Sequence, residues 1–182
     1  MKRSVYTEEQ QAFGAAFRSF LEKEVVPHAT TWEEAGIVDR RLFTEAAKHG
    51  FIGFNGPEEF GGGGESDYRF SSILTEQACA LGVATEIIGL GLHNDIPVPY
   101  LIKYCNQEQA ARWLPGALSG ELITAIAMTE PGTGSDLSGI STRAVRDGDD
   151  YVVNGAKTFI TNGINSDLVI TAVRTDPDSK HD

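Results

Sequence analysis

The sequence predicts a multidomain chain: an all-α N-terminal part over residues 1–121, then the first strands of an antiparallel β part over residues 122–182. Three observations carry this. Apolar residues recur at helical spacing until about residue 121. From Leu122 the period becomes two. Short apolar runs then alternate with turn pairs such as Asn154-Gly155 and Asn162-Gly163, the pattern of an antiparallel sandwich or barrel.

The elements follow in order. A first helix is expected from Glu8 to about Val26, opened by a capping box of Thr7 and Gln10 and stopped by Pro27. Its apolar face is Phe13, Phe17, Phe20, Leu21 and Val25. A second runs from Arg41 to His49, capped by Asp39 or Arg40 and closed by Gly50. The stretch Gly56 to Gly64 is loop. Asp67 to Leu81 reads as a third helix. Ala84 to Leu92 is apolar on every side and reads as buried. Ile96 to Tyr104 opens another helix, and Asn106 caps one that runs through Trp113 and ends before Pro115. Strands are expected over Leu122–Thr129, Ser141–Val145, Tyr151–Val153, Lys157–Thr161 and Leu168–Arg174, before a polar stretch from Thr175 to Asp182. Nothing in that last stretch protects a sheet edge, so the β part reads as cut short.

Composition excludes several functions. The 15 Lys+Arg residues against 26 Asp+Glu leave a net charge of −11, a poor match for a nucleic-acid backbone. Such a surface still allows one anionic ligand held by backbone N–H groups. No apolar stretch reaches membrane-spanning length. Cys79 and Cys105 lie far apart and make neither a metal pattern nor a disulfide framework. With no signal peptide visible after Met1, a reducing, cytoplasmic setting is expected. The four histidines, His28, His49, His93 and His181, are scattered, so no zinc site or catalytic triad is visible. His93 reads as a satisfied cap or loop residue. Gly132-Thr133-Gly134 lacks the third glycine of a dinucleotide fingerprint, Gly61 to Gly64 lacks the Lys of a P-loop, and Ser135 is in no nucleophile elbow.

The informative segment is Met128-Thr129-Glu130-Pro131-Gly132-Thr133-Gly134-Ser135-Asp136-Leu137-Ser138-Gly139. It joins a strand to a glycine-rich turn with hydroxyls and backbone N–H groups. Gly132 and Gly134 permit positive φ and close approach by a flat or phosphorylated ligand. The same residues could equally form a long hairpin turn with internal Asx and Ser/Thr hydrogen bonds. Glu130 reads as a residue that shapes the turn, not as a general base. Phe159, on residue types alone, reads as a core residue of a strand.

This segment resembles the signature of acyl-CoA dehydrogenases. Asn154-Gly155-Ala156-Lys157-Thr158-Phe159-Ile160-Thr161-Asn162-Gly163 resembles that family's second signature, at the right distance. Gly56 to Gly62, and Arg112-Trp113-Leu114-Pro115 with Gly120-Glu121, are also similar to family stretches, so the resemblance covers essentially the whole chain. Ile126-Ala127-Met128 and Asn94-Asp95-Ile96 look most like long-chain-specific members.

The resemblance implies an α-helical N-terminal domain, a β-barrel middle domain and a C-terminal helical domain, of which this chain holds the first and the opening strands of the second. It implies FAD, and α,β-dehydrogenation of an acyl-CoA thioester to the trans-2-enoyl-CoA in fatty-acid β-oxidation. Electrons then pass to an electron-transferring flavoprotein, and the assembly is a homotetramer. By position, Ile126, Ala127, Met128 and Thr129 would line the flavin ring, with Thr129 bonding its polar edge. Gly134 and Ser135 would contact FAD, and Ser135 also the acyl-CoA. Phe159, where many members carry Trp, would pack against the flavin beside Ile160, and Thr161 would reach toward N5. The general-base Glu belongs to the C-terminal domain, and no residue here matches it. The chain is therefore expected to be part of a longer enzyme and, alone, neither to hold FAD firmly nor to turn over. An acyl-CoA oxidase or flavin monooxygenase on the same fold, or a non-catalytic partner subunit, are the alternatives.

Overall fold

The computed structural model describes residues 5–176; the polar end from residue 177, with His181, lies outside the described residues. Helix α1 (Glu8–Glu24) opens on the expected box: Gln10 N–H donates to Thr7 Oγ1 at 3.2 Å and Thr7 N–H to Gln10 Oε1 at 3.1 Å. It stops two residues earlier than expected, and Val26–His28 tightens into a 3₁₀ turn around Pro27. A seven-residue helix not foreseen in the sequence follows, α2 (Ala29–Ala35), closed by Gly36 at φ 67°. Helix α3 (Arg41–Lys48) has Arg40 at its N-cap with no side-chain cap bond; Asp39, one residue before, accepts from Arg41 N–H through Oδ1 at 2.8 Å.

Helix α4 (Arg69–Leu81) starts two residues later than expected, because Asp67 serves as a side-chain acceptor for Arg69 N–H instead of joining the helix. Helix α5 (Ala84–Asp95) is longer than expected and not buried all round: Ile88 is 60% exposed. Helix α6 (Pro97–Tyr104) leads to α7 (Gln107–Leu118), whose cap is a second capping box of Asn106 and Gln109. Pro115 does not end α7; it sits inside the helix. A proline there costs about 3 kcal/mol. Continuing the helix buries Leu114, Ala117 and Leu118, and each fully buried leucine returns roughly 1.5–3 kcal/mol.

Two apolar clusters organise the chain. The first joins α1, α3, α4 and α5 around Phe17, Leu21, Phe43, Phe51, Leu74 and Leu90. Its rings meet edge to face, Phe17 with Phe51 at 4.8 Å and Phe13 with Phe70 at 5.1 Å between centroids. The second cluster, Val98, Leu101, Leu114, Ala117 and Leu118, packs α6 and α7 against Leu168 and Ile170 of the β part. The helical and β parts thus share apolar surface.

The strands are β1 (Thr124–Ala127), β2 (Arg143–Asp147), β3 (Asp150–Asn154) and β4 (Leu168–Thr171). β2 and β3 form an antiparallel hairpin, but β1 pairs with β4 in parallel, Thr124 opposite Leu168 and Ala127 opposite Thr171. Helices followed by strands is the order expected; of the two strand pairs among the described residues, the hairpin is antiparallel as expected and the β1–β4 pair is not. Burial on both faces of β1 suits a parallel strand. The expected strand over Lys157–Thr161 does not form. Phe159 and Asn162 stand at φ 56° and 65°, which breaks extended geometry.

Candidate functional site

The two motif segments lie side by side. Thr158 N–H donates to Thr129 O at 2.9 Å, and Lys157 Nζ to Met128 O at 2.9 Å. At the other end of the second segment, Asn162 Nδ2 donates to Thr124 O at 3.1 Å, at the start of β1. Residues 157–162 therefore run back along β1 without joining its ladder. This brings Phe159, Ile160 and Thr161 to the same edge as Ile126 to Thr129.

Their side chains are presented differently. Ala127 is buried, while Ile126, Met128 and Thr129 are half-buried. Phe159 is 90% exposed and is no core residue. Ile160 and Thr161 are half-buried, and Gly134 and Ser135 are exposed on the loop after β1. Neither Gly132 nor Gly134 adopts a positive φ, so the freedom expected of them is not used in that way. A Cβ on either would meet nothing within 4 Å. No packing within the described chain requires glycine there, and the space above both is open to an outside group.

That loop is built around one carboxylate. Glu130 is buried and accepts from Ser141 N–H at 2.7 Å and Oγ at 2.6 Å, from Thr142 N–H at 2.9 Å and from Lys157 Nζ at 3.0 Å, besides a bond from Thr142 Oγ1. The Ser141 and Thr142 hydroxyls, with both backbone donors, hold its carboxyl well below the usual carboxylate range. A fixed anion with every lone pair engaged has no proton to exchange near neutrality. Glu130 shapes the turn, as the sequence reading has it. Asp136 does the same locally: its Oδ1 accepts from Ser138 N–H and Oγ, which lowers its pKa.

A groove of about 460 Å³ opens next to this edge. Its walls are Trp32 and Gly36 to Val38 around the end of α2, Ile88 and Gly89 on α5, and the turn from Ile160 to Asn165. Of the residues the sequence singled out, Ile160 and Thr161 line it. The turn is pinned further by Asn165 Nδ2 to Val38 O at 2.8 Å and by Arg40, which bonds Asn165 O and, at 2.7 Å, Asp167 Oδ2. His93 is a fully buried helix residue, not a cap or loop residue, with both ring nitrogens engaged. Among the described residues no cluster of His, Cys, Asp and Glu could hold a metal ion. Lys157 and Asn162 are visible in the sequence only as members of the second motif, with no role of their own, and the α2 wall of the groove carries no signal, since each acts through contacts with residues far along the chain.

Hydroxyls and open backbone beside an apolar edge suit a flat, partly polar ligand. Comparison with known proteins says which group of proteins shares this arrangement. Residues 7–121 match the acyl-CoA dehydrogenase N-terminal domain, and residues 125–182 match its middle domain. The chain belongs to the acyl-CoA dehydrogenase family. It is 41% identical over 178 residues to the long-chain specific acyl-CoA dehydrogenase, mitochondrial, of Sus scrofa, covering 98% of this chain and 41% of that protein. An acyl-CoA dehydrogenase structure from Geobacillus kaustophilus superposes with a TM-score of 0.91 at 49% identity, covering 98% of this chain and 46% of that one. An acyl-CoA dehydrogenase from Bacillus anthracis, solved in complex with FAD, superposes with a TM-score of 0.85 at 31% identity, over 97% of this chain and 30% of that one. The chain thus spans under half the length of these acyl-CoA dehydrogenases. Among the described residues no helix is long and apolar enough to cross a membrane.

Proposed function

We propose that this chain is the N-terminal and opening middle part of an FAD-dependent acyl-CoA dehydrogenase that converts long-chain acyl-CoA thioesters to trans-2-enoyl-CoA in β-oxidation. The observation that carries the proposal is the hydrogen bond between Thr158 and Thr129, which lays the two motif segments along one edge. The open space over Gly132 and Gly134 supports the fit of a bulky ligand there. FAD, when bound, supplies the acceptor for the substrate's β-hydride.

The residues of this chain then have separate tasks. Ile126 and Met128 give an apolar wall that keeps water from the reacting carbon. The Thr129 and Thr161 hydroxyls donate to the polar edge of the isoalloxazine, where negative charge develops on reduction. Both are carried on backbone fixed by hydrogen bonds, so they need not reorganise. Phe159 and Ile160 pack on the ring, and the exposed Phe159 face is what the flavin would cover. Gly134 offers backbone and Ser135 backbone and hydroxyl to FAD, with Ser135 also meeting the acyl-CoA. Ala127 contributes backbone alone. The general base is assigned to no residue of this chain.

Within the same proposal the helical and β domains divide at residues 121 and 122. The protein works as a homotetramer, in a reducing cytoplasmic setting consistent with free thiols at Cys79 and Cys105, and passes electrons to an electron-transferring flavoprotein. The test is product analysis. The purified full-length enzyme that contains this chain, loaded with FAD and given an artificial electron acceptor, is expected to turn palmitoyl-CoA into a 2-enoyl-CoA two hydrogens lighter. A loaded protein that leaves palmitoyl-CoA and shorter acyl-CoAs unchanged by mass would refute the proposal.

A further inference from the structure

Among the described residues, Phe159 and Asn162 are the two residues other than glycine at positive φ, and they bracket Ile160 and Thr161. Such backbone is strained, most of all for a bulky residue, and persists only where the surroundings impose it. At the near end Thr158 N–H donates to Thr129 O at 2.9 Å. At the far end Asn162 Nδ2 donates to two carbonyls at once, Gly89 O on α5 at 2.8 Å and Thr124 O on β1 at 3.1 Å. A Cβ on residue 89 would stand 2.1 Å from Asn162 Oδ1 and 3.1 Å from its Cγ. Any side chain at 89 would therefore force the Asn162 amide to shift from the position in which it reaches both carbonyls. Two residues on, a Cβ at Gly91 would meet nothing within 4 Å. Helix propensity favours alanine over glycine at both positions, so glycine at 89 has a local reason that glycine at 91 lacks.

We propose that Gly89 and Asn162 form a clamp that sets where Phe159, Ile160 and Thr161 stand against the flavin. Asn162 is a positioning residue, acting through the turn, and Gly89 is the seat that lets its amide reach. The mechanics rest on the hydrogen bonds above; the consequence for FAD rests on the flavin reading of the previous section.

The test compares Gly89→Ala, Gly91→Ala, Asn162→Gly, Asn162→Asp and the Gly89→Ala/Asn162→Gly pair in the purified full-length enzyme, flavin-free and FAD-loaded. Asn162→Gly accepts the positive φ freely, so it removes the amide without adding backbone strain. Asn162→Asp turns the donor into an acceptor facing two carbonyls. In the flavin-free protein, hydrogen exchange at the Gly163 amide, which donates to Ile160 O at 2.8 Å, is the readout. Loss of the clamp is expected to speed it about tenfold in Gly89→Ala and in both Asn162 variants, and not in Gly91→Ala. In the Asn162→Gly background, Gly89→Ala is expected to add nothing. In the loaded protein the same variants are expected to bind FAD at least about threefold more weakly and to shift its visible band.

Exchange within about twofold of the parent in Gly89→Ala and Asn162→Gly would overturn the clamp, as would full additivity in the pair. Faster exchange with unaltered FAD affinity and spectrum would overturn the positioning role. A parent protein that takes up no FAD would refute the flavin reading instead, while the exchange comparison still decides the clamp.

Discussion

Replacing His93 by glutamine should flatten the acid dependence of stability. His93 is 0% exposed, on α5 between α7 and β1. Its Nε2 lies 2.9 Å from Ala117 O, a pure acceptor, so that nitrogen carries the proton. Its Nδ1 receives Thr124 N–H at 3.2 Å and Thr124 Oγ1 at 2.7 Å. A second proton on Nδ1 would face a backbone N–H with no water to solvate the charge. Burial accordingly lowers the pKa from 6.5 to about 4, against a smaller opposing effect of the Ala117 carbonyl. The sign follows from proton uptake. As pH falls through 6.5 the unfolded chain protonates this ring, while the folded chain does not until about 4. Stability from the neutral ring is therefore present above pH 6.5 and lost across that window. The linkage amounts to about 3 kcal/mol in all, and about 2 kcal/mol between pH 7 and pH 5. Urea unfolding of parent and His93→Gln over that range reads it directly. The variant should be less stable at pH 7 but lose about 2 kcal/mol less on acidification. Equal acid losses in both proteins, or an imidazole NMR titration near 6.5, would refute the buried neutral ring.

Other expectations follow from the same structure. Phe17→Ala, at a fully buried ring, should cost about 3–5 kcal/mol in urea unfolding, whereas Phe159→Ala should leave stability nearly unchanged and weaken FAD binding. Glu130→Gln should lower the melting temperature at neutral pH. Because the Glu130 pKa is depressed, the parent's advantage should be present above pH 4.5 and shrink as acid is added below it. Thr161→Val should leave the melting temperature within a few degrees and slow flavin reduction in the loaded enzyme by about tenfold or more. Unchanged reduction kinetics would remove Thr161 from the site.

What could be read from the sequence was local. Thr7 with Gln10 and Asn106 with Gln109 satisfy their own helix ends; the Thr7–Gln10 box is legible in the spacing and Asn106 as a cap by residue type, while the part of Gln109 comes from the structure. Helix α2 stayed hidden because seven residues with one large apolar side chain, Trp32, show no period. Pro115 was misread because its local rule is overridden by burial of Leu114, Ala117 and Leu118, which depends on partners elsewhere. Lys157 to Thr161 alternates like a strand, yet bonds to Met128 and Thr129 and the positive φ of Phe159 give it another shape. The parallel pairing of β1 with β4 joins residues more than forty apart and leaves no local mark. At the site, the two motifs were visible as strings. Their contact, the Glu130 hub and the seat at Gly89 were not, because each depends on distant residues converging.

The most direct test of the flavoenzyme reading is an anaerobic titration of the purified, FAD-loaded full-length enzyme that contains this chain with palmitoyl-CoA, followed by visible absorbance. The account predicts a yellow protein whose flavin band bleaches as acyl-CoA is added. A yellow protein that keeps its band across long and short acyl-CoAs, or a colourless one that cannot be loaded with FAD, would contradict it.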